Sequence, residues 1–413
     1  MQADVIVVGA GPGGSSAAIH LARAGLDVIV LEKADFPREK VCGDGLTPRA
    51  VKELAYLGLD KALPTAVRTK GLRIHVGRRD YLLEWPTLDS FPNVGIVCRR
   101  SILDQYLAEE AVRSGAQVLT GTSVATPILS SRGRITGVTC KDGRTFSAPV
   151  IVEASGNSAR LAVAMGLHRM TDRPMGVAVR TYFRSPHHDE EWLDSWLELW
   201  DGKPGRSHLL PGYGWSFPMG DGTCNVGLGL PDAYRFRDVD YKDMMRRWLA
   251  TMPPQWGFTE NNQTEVIRSA ALPMGFNRKP TVLGSLMLVG DAAGAINSFN
   301  GEGVSYAMES GRWAAEAITA AKALGFHTRK ADQELMTYST RMTDEWGSYF
   351  WAGNLFSRLI SHPAVMKVAA HYGLPIPFVR QLTHRMLAHL WDGDSHDVYD
   401  RILNTLTRLA PVA

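Results

Sequence analysis

The stretch VVGAGPGGSS, residues 7–16, limits what this chain can fold into more than any other. The run from Asp4 to Val8, apolar and β-branched after its first residue, reads as a buried strand. Gly9, Gly11 and Gly14 follow at G-x-G-x-x-G spacing, and the residues from Pro12 to Arg23 read as a helix. A second apolar run, Val28 to Leu31, ends at Glu32, 18 residues beyond Gly14. Strand, glycine turn, helix, strand and acid in that order are what a dinucleotide-binding βαβ unit needs. Gly9 permits the tight turn, Gly11 lets a pyrophosphate approach the backbone, and Gly14 lets the helix pack on the sheet. The helix start at Pro12 and Gly13 faces the phosphates. Glu32, with Lys33 beside it, is placed to accept from a ribose hydroxyl pair. A bare strand–helix turn would not require that acid.

Composition narrows the setting. A chain of 413 residues is too long for one simple core and points to two domains or large insertions. Its 45% hydrophobic and 21% charged content is that of a soluble globular protein. Basic and acidic residues nearly balance, 45 against 42, so no nucleic-acid partner is implied. Cys42, Cys98, Cys140 and Cys224 form no C-x-x-C pair and no metal-ligand spacing, so reduced thiols, no metal and a cytoplasmic setting are expected. No stretch approaches the ~18 apolar residues of a spanning helix, and a strand starting next to Met1 leaves no room for a signal peptide.

Along the chain the nucleotide unit recurs in pieces. Arg100 opens an amphipathic helix with Ile102, Leu103, Leu107 and Val112 on its apolar side, ended by Gly115. A hairpin is signalled by Asp142-Gly143, and Val150 to Ala154 is a buried strand running into Ser155-Gly156-Asn157-Ser158-Ala159-Arg160. From Met175 to Pro273 short alternating runs, aromatics and Gly/Pro punctuation suggest an antiparallel sheet. Gly284 to Val289 returns to a buried strand ending in Gly290-Asp291, and glycines Gly301 and Gly303 precede Val304 and an alanine-rich helix. An acid at a strand end accepts from a sugar hydroxyl. Glycines bring backbone amides against a ring, and a helix N-terminus stabilises negative charge, as a reduced flavin requires.

Together GAGPGG (residues 9–14), ASGNSAR (154–160) and GDAAG (290–294) resemble the FAD-dependent oxidoreductases of the p-hydroxybenzoate hydroxylase fold. Two further stretches, PREKVCGDGL (37–46) and PGYGWSFP (211–218), resemble the geranylgeranyl reductase family, including actinobacterial menaquinone reductases. The resemblance runs from residue 4 to about 325 and weakens through the C-terminal helices. It implies an α/β fold: a Rossmann-type FAD-binding domain over 1–75, 95–170 and 275–325, a substrate-binding sheet domain over 76–94 and 171–274, and a helical region over 326–413. It also implies FAD as cofactor and reduction of isoprenoid double bonds in an apolar lipid or quinone.

Carried residue by residue, the resemblance puts the FAD pyrophosphate on Gly11 to Gly14 and its ribose on Glu32. Arg100 reaches the FAD, the Val124 backbone meets the adenine, Asp291 lies near the ribityl chain, and Gly301 to Val304 lie at the isoalloxazine. Cys42, Gly43 and Asp44 come beside the flavin on the substrate side, with Cys42 the candidate proton donor. Tyr213, Trp215 and Phe217, on one face of a strand, wall the substrate cavity. The chain departs from the family pattern at Ser155, where an acid is usual, which bears on NADPH use. It departs again at Ser298, where proline is usual, which implies a less rigid flavin-facing loop. NADPH, a ferredoxin and a reduced quinone all stay open as electron donors. Lys40 reads as solvated or as touching the cofactor. The aromatics Trp346, Tyr349, Phe350, Trp351 and Phe356 read as helix packing, with a membrane-facing patch as the alternative. Oxygen chemistry by a monooxygenase or epoxidase is the rival within enzymes. Halogenation ranks last for want of a convincing lysine, and a non-redox role in binding the same substrate is the rival outside them.

Overall fold

The fold is known from a computed structural model that describes residues 1–231 and 240–413. The Rossmann sheet runs in the order Val282–Leu283, Leu286–Leu288, Val150–Glu153, Val5–Val8, Val28–Leu31, Gln117–Leu119. Its strands are parallel except for the terminal hairpin. The central strands are buried on both faces, which is why they read as unbroken apolar runs. The helices Pro12–Arg23 and Val304–Ala323 pack together against one face. A glycine lets them approach, since a Cβ on Gly311 would lie 2.3 Å from the Gly13 oxygen; Gly14 serves the turn below, where a Cβ would lie 1.9 Å from the Gly9 carbonyl oxygen. The helix Arg100–Arg113 packs on the first of these through Leu103, Leu107 and Ala111. Val112, expected on the apolar side, is exposed because Ala111 takes that turn of the buried face.

The second unit is a seven-stranded sheet in the order Arg268–Pro273, Met175–Arg184, Thr223–Leu230, Tyr213–Pro218, Trp192–Trp196, Gly71–Val76, Arg79–Glu84. Only the contact of Trp192–Trp196 with Gly71–Val76 is parallel. The sheet therefore claims Gly71–Val76, most of which the sequence reading put with the nucleotide unit, because the strand pairs with Arg79–Glu84 across a tight turn at Gly77. Alternation sorts the two faces. Val177, Val179, Val226 and Leu228 bury one face under the helix Tyr241–Leu249 with its Trp248. Tyr213, Trp215 and Phe217 point the other way, into the protein's large cavity.

The C-terminal helices Arg329–Ile360, Pro363–Val368, Pro377–Ala388 and Val398–Leu409 close over both units. Trp346, Tyr349 and Phe350 are buried against Phe276, Phe299, Tyr306 and Trp313, so these aromatics do act in packing. They also fix the loop after Gly294. Ser298 donates to the Asn354 side chain at 2.7 Å, and Asn297 donates to the Tyr349 hydroxyl at 2.9 Å and the Leu387 carbonyl at 3.2 Å. At 298, where proline is usual, the serine hydroxyl instead ties the loop to the long helix. From the tight fit of the glycine turn, Gly14→Ala is expected to destabilise the protein by about 3 kcal/mol or more, since the Gly9 backbone faces the new methyl. Thermal unfolding of the flavin-free protein checks this; an unchanged midpoint would contradict the packing.

Candidate active site

One cavity of about 800 Å³ runs from the glycine turn to the aromatic strand. At one end lie Gly9, Gly11, Pro12, Gly13, Glu32, Lys33 and Val124, with Arg100 beside them. Gly290, Asp291, Gly301, Gly303 and Val304 border its middle, together with Lys40, Cys42 and Gly43. Tyr213, Trp215 and Phe217 wall the far part. Two residues from the sequence reading do not line it. Gly14 is packed against the Gly9 carbonyl and Ala154, and Asp44 is fully buried behind the Cys42–Gly43 turn.

The glycine end has the shape of a ligand cradle. Glu32 is held at the second strand's end by accepting from the backbone nitrogens of Ala10 at 2.8 Å and Ala34 at 3.1 Å. Gly9, at φ +101°, would carry a Cβ 2.6 Å from the Ala154 oxygen, and Gly13 would carry one 2.7 Å from a Val289 methyl. Gly11 differs: its Cβ would meet only the Arg38 guanidinium, at 3.4 Å. The surrounding protein leaves room for a side chain there, on the open side of the turn that borders the cavity. Arg38, absent from the sequence-derived set, pairs with Asp104 at 3.0 Å, while its buried Nε lies 3.7 Å from the Glu32 carboxylate and makes no hydrogen bond. Open backbone, a helix N-terminus and an incompletely satisfied arginine fit a pyrophosphate. Arg100, expected to reach the cofactor, forks instead onto Asp104 at 2.7 and 2.9 Å while still bordering the cavity.

Asp291 sits against Gly303 and Gly156, and the Lys40 ammonium lies 3.8 Å from its carboxylate. Ser155 also borders the cavity, and its nitrogen donates to Glu153 at 3.0 Å. Glu153 in turn accepts from the Leu161 nitrogen at 2.8 Å and is fully buried, which pushes its carboxyl up. The acid of this turn thus stands at the strand end, where it fixes backbone and is covered from any ligand.

Cys42 lies in a loop built around Asp44. The Asp44 carboxylate accepts from the Arg100 nitrogen at 3.0 Å, the Tyr182 hydroxyl at 2.5 Å and the Asn225 amide at 2.7 Å. Asn225 also donates to the Cys42 carbonyl at 2.9 Å and accepts from the Trp215 indole at 2.9 Å. One amide therefore sets the cysteine loop and the cavity-facing indole relative to each other. Room for that indole comes from Gly227 on the neighbouring strand, where a Cβ would lie 2.3 Å from the Trp215 ring. Burial pushes the Cys42 thiol up, partly opposed by the Arg100 cation, so it stays protonated at neutral pH. Glu302, missed at the sequence level between its two glycines, also borders the cavity and accepts from the Thr47 hydroxyl at 2.6 Å. Burial raises its carboxyl as well. Tyr213 donates to the Asn300 carbonyl at 2.6 Å, which docks the aromatic strand onto the same loop.

The last wall was not legible in the sequence. Phe356, Ile360, Met366, Leu374, Met386 and Leu387, from the C-terminal region, line the same cavity as Trp215 and its neighbours. Their residue types are those of any buried helix face, so only the fold shows what they enclose.

Comparison with known proteins shows the family. The family described as "FAD binding domain" matches residues 2–344. The menaquinone reductase of Mycolicibacterium smegmatis is 34% identical over 405 residues, covering 98% of this chain and 96% of that protein. The chain belongs to this family of FAD-dependent oxidoreductases. Digeranylgeranylglycerophospholipid reductase 1 of Methanothermobacter thermautotrophicus is 28% identical over 331 residues, covering 78% of this chain and 79% of the other. Among solved structures, a geranylgeranyl bacteriochlorophyll reductase-like protein from Thermoplasma acidophilum shares the fold with a TM-score of 0.78 at 22% identity, covering 98% of this chain and 99% of that one.

Two substitutions test the cradle. Gly11→Ala is expected to leave the flavin-free protein within about 0.5 kcal/mol of its stability while lowering FAD retention. Glu32→Lys, which sets a cation where an acceptor is required, is expected to weaken FAD binding by about 2 kcal/mol or more. Flavin absorbance of the purified variants and FAD titration read both; full occupancy in both would contradict the placement.

Proposed function

We propose that this protein reduces carbon–carbon double bonds in the isoprenoid chain of a quinone or lipid. The observation that carries the reading is the single cavity. A dinucleotide cradle at one end opens, past the Cys42–Gly43 turn and Gly301–Val304, into an apolar chamber walled by Tyr213, Trp215 and Phe217 and by the C-terminal helices. The relatives named as reductases of isoprenoid quinones and lipids support it.

Bound FAD supplies the hydride. The chain's own residues bind, orient and keep water out. Gly11 to Gly13, Glu32, Lys33 and Val124 hold the adenine and phosphate half; Asp291, Lys40, Gly290 and Gly301 to Val304 hold the flavin half. The aromatic strand and the facing aliphatic side chains hold an extended apolar chain without offering it a polar partner. An unactivated alkene is a poor hydride acceptor, so positioning supplies much of the rate. Reduction also needs a proton, and two groups whose protonated forms burial favours border the chamber: the Cys42 thiol and the Glu302 carboxyl. We assign the proton to Cys42, whose loop is fixed to Trp215 through Asn225. Reducing equivalents enter from outside, from NADPH, a ferredoxin or a quinol, and the apolar substrate is met at a membrane surface.

Under strict anaerobiosis, chemically reduced enzyme is expected to convert a polyprenyl quinone or geranylgeranyl lipid into a product two hydrogens heavier, read by mass spectrometry. A product heavier by one oxygen, formed only in air, would overturn the reductase reading. Trp215→Ala should impair turnover far more than FAD binding. Cys42→Ala should keep FAD bound while slowing substrate-dependent flavin reoxidation about 10²-fold; reoxidation at the wild-type rate would return Cys42 to a packing role.

A further inference from the structure

The segment from Leu355 to Val379 is apolar on both its sides. Inward, Phe356, Ile360, Met366 and Leu374 line the cavity. Outward, Leu355, Leu359, Val365, Val368, Tyr372 and Ile376 are each between 41% and 74% exposed. A helical segment covering a core in water is expected to be polar on its outer face, and scattered exposed apolar residues carry no meaning. Here six large ones fall within 22 residues, counting from Leu355 to Ile376. Charge singles out the same stretch. From Trp346 to Trp391 the chain contains no Asp or Glu, whereas Arg358, Lys367, Arg380 and Arg385 are all present. The whole chain carries only +3, so this is a local concentration of positive charge. Arg385 is neutralised by Asp397 and Asp400, but Arg358 and Lys367 are exposed with no acidic partner among the described residues. The acid that meets the segment from another element is Glu198, held by His371 at 2.9 Å.

We propose that residues 355–379 form a membrane-docking face that seats the cavity on an anionic lipid leaflet. The outward apolar side chains enter the interface, and Arg358 and Lys367 meet lipid phosphates. The wall of the substrate chamber then lies against the bilayer, so an isoprenoid chain passes from lipid to cavity without crossing water. This use of the face rests on the reading of the substrate as an isoprenoid lipid; the docking itself does not.

The test is flotation of the FAD-loaded full chain with quinone-free vesicles. Vesicles containing phosphatidylglycerol are expected to carry the protein up the gradient, pure phosphatidylcholine vesicles much less, and high salt should release it. A double variant, Val368→Glu with Ile376→Glu, should lower the bound fraction about tenfold with FAD content and thermal midpoint unchanged. Leu409→Glu, at a still more exposed apolar position on the last helix, should change nothing. Failure of the wild type to bind anionic vesicles overturns the docking face, as does equal loss in Leu409→Glu. Self-association through residues 355–379, abolished by the double variant, would equally overturn it in favour of a dimer contact. The two readings fail separately: vesicle binding needs no substrate, and reduction of a detergent-dispersed quinone needs no vesicle.

Discussion

The carboxylate of Asp44 holds this structure's working parts in register. It accepts hydrogen bonds from three separate parts of the chain: the nitrogen opening the helix Arg100–Arg113, the Tyr182 hydroxyl on one sheet strand and the Asn225 amide on the next. Asp44 is fully buried and takes a left-handed backbone conformation at φ 65°, which costs a residue with a side chain about 1 kcal/mol or more. Its partners compensate for both. Tyr182 is itself clasped between the guanidinium groups of Arg99 and Arg180, 4.0 and 4.5 Å from its ring. Burial pushes the Asp44 carboxyl up, while the three donors and the nearby Arg180 oppose that shift. Removing one partner would leave a desolvated acid short of a donor, so the nucleotide unit and the sheet are joined by a contact that tolerates little displacement.

That junction places the Cys42–Gly43 turn where the cavity changes character. On one side the lining is backbone, glycine and charge; on the other it is aromatic and aliphatic. The same division follows from what each half accommodates. Phosphates need donors and close backbone approach, and an isoprenoid chain needs surface without polar groups. The loop from Asn297 to Gly303 spans both. It is tied to the sheet through Tyr213 and to the long C-terminal helix through Ser298 and Asn354. The helices that close the chamber are therefore also hydrogen-bonded to the loop that borders its middle.

The Rossmann unit was legible because its glycines, apolar runs and strand-end acid each answer a separate physical demand, and those demands occur in a fixed order along the chain. The aromatic strand was legible from alternation alone, since Tyr213, Trp215 and Phe217 share a face whatever they touch. Asp44 was read as a cofactor neighbour because it follows Cys42 and Gly43. Its backbone conformation turns the side chain away from the cavity, and no local pattern announces that. Arg38, Glu302 and the aliphatic wall from Phe356 to Leu387 escaped for a common reason. Their roles depend on long-range contacts, while their local sequence is that of an ordinary loop or packed helix. Ser298 is a further case, since its hydrogen-bond partner Asn354 lies 56 residues away and no local pattern points to it.

The central claim is that cofactor and apolar substrate share one chamber closed by the sheet on one side and the C-terminal helices on the other. Photocrosslinking the FAD-loaded protein with a polyprenyl quinone carrying a diazirine on its chain tests this most directly, with the adducts mapped by mass spectrometry. The account predicts adducts on both walls, in 213–217 and in 356–388, competed away by unlabelled quinone. Adducts confined to the outer surface, or indifferent to competing quinone, would contradict it.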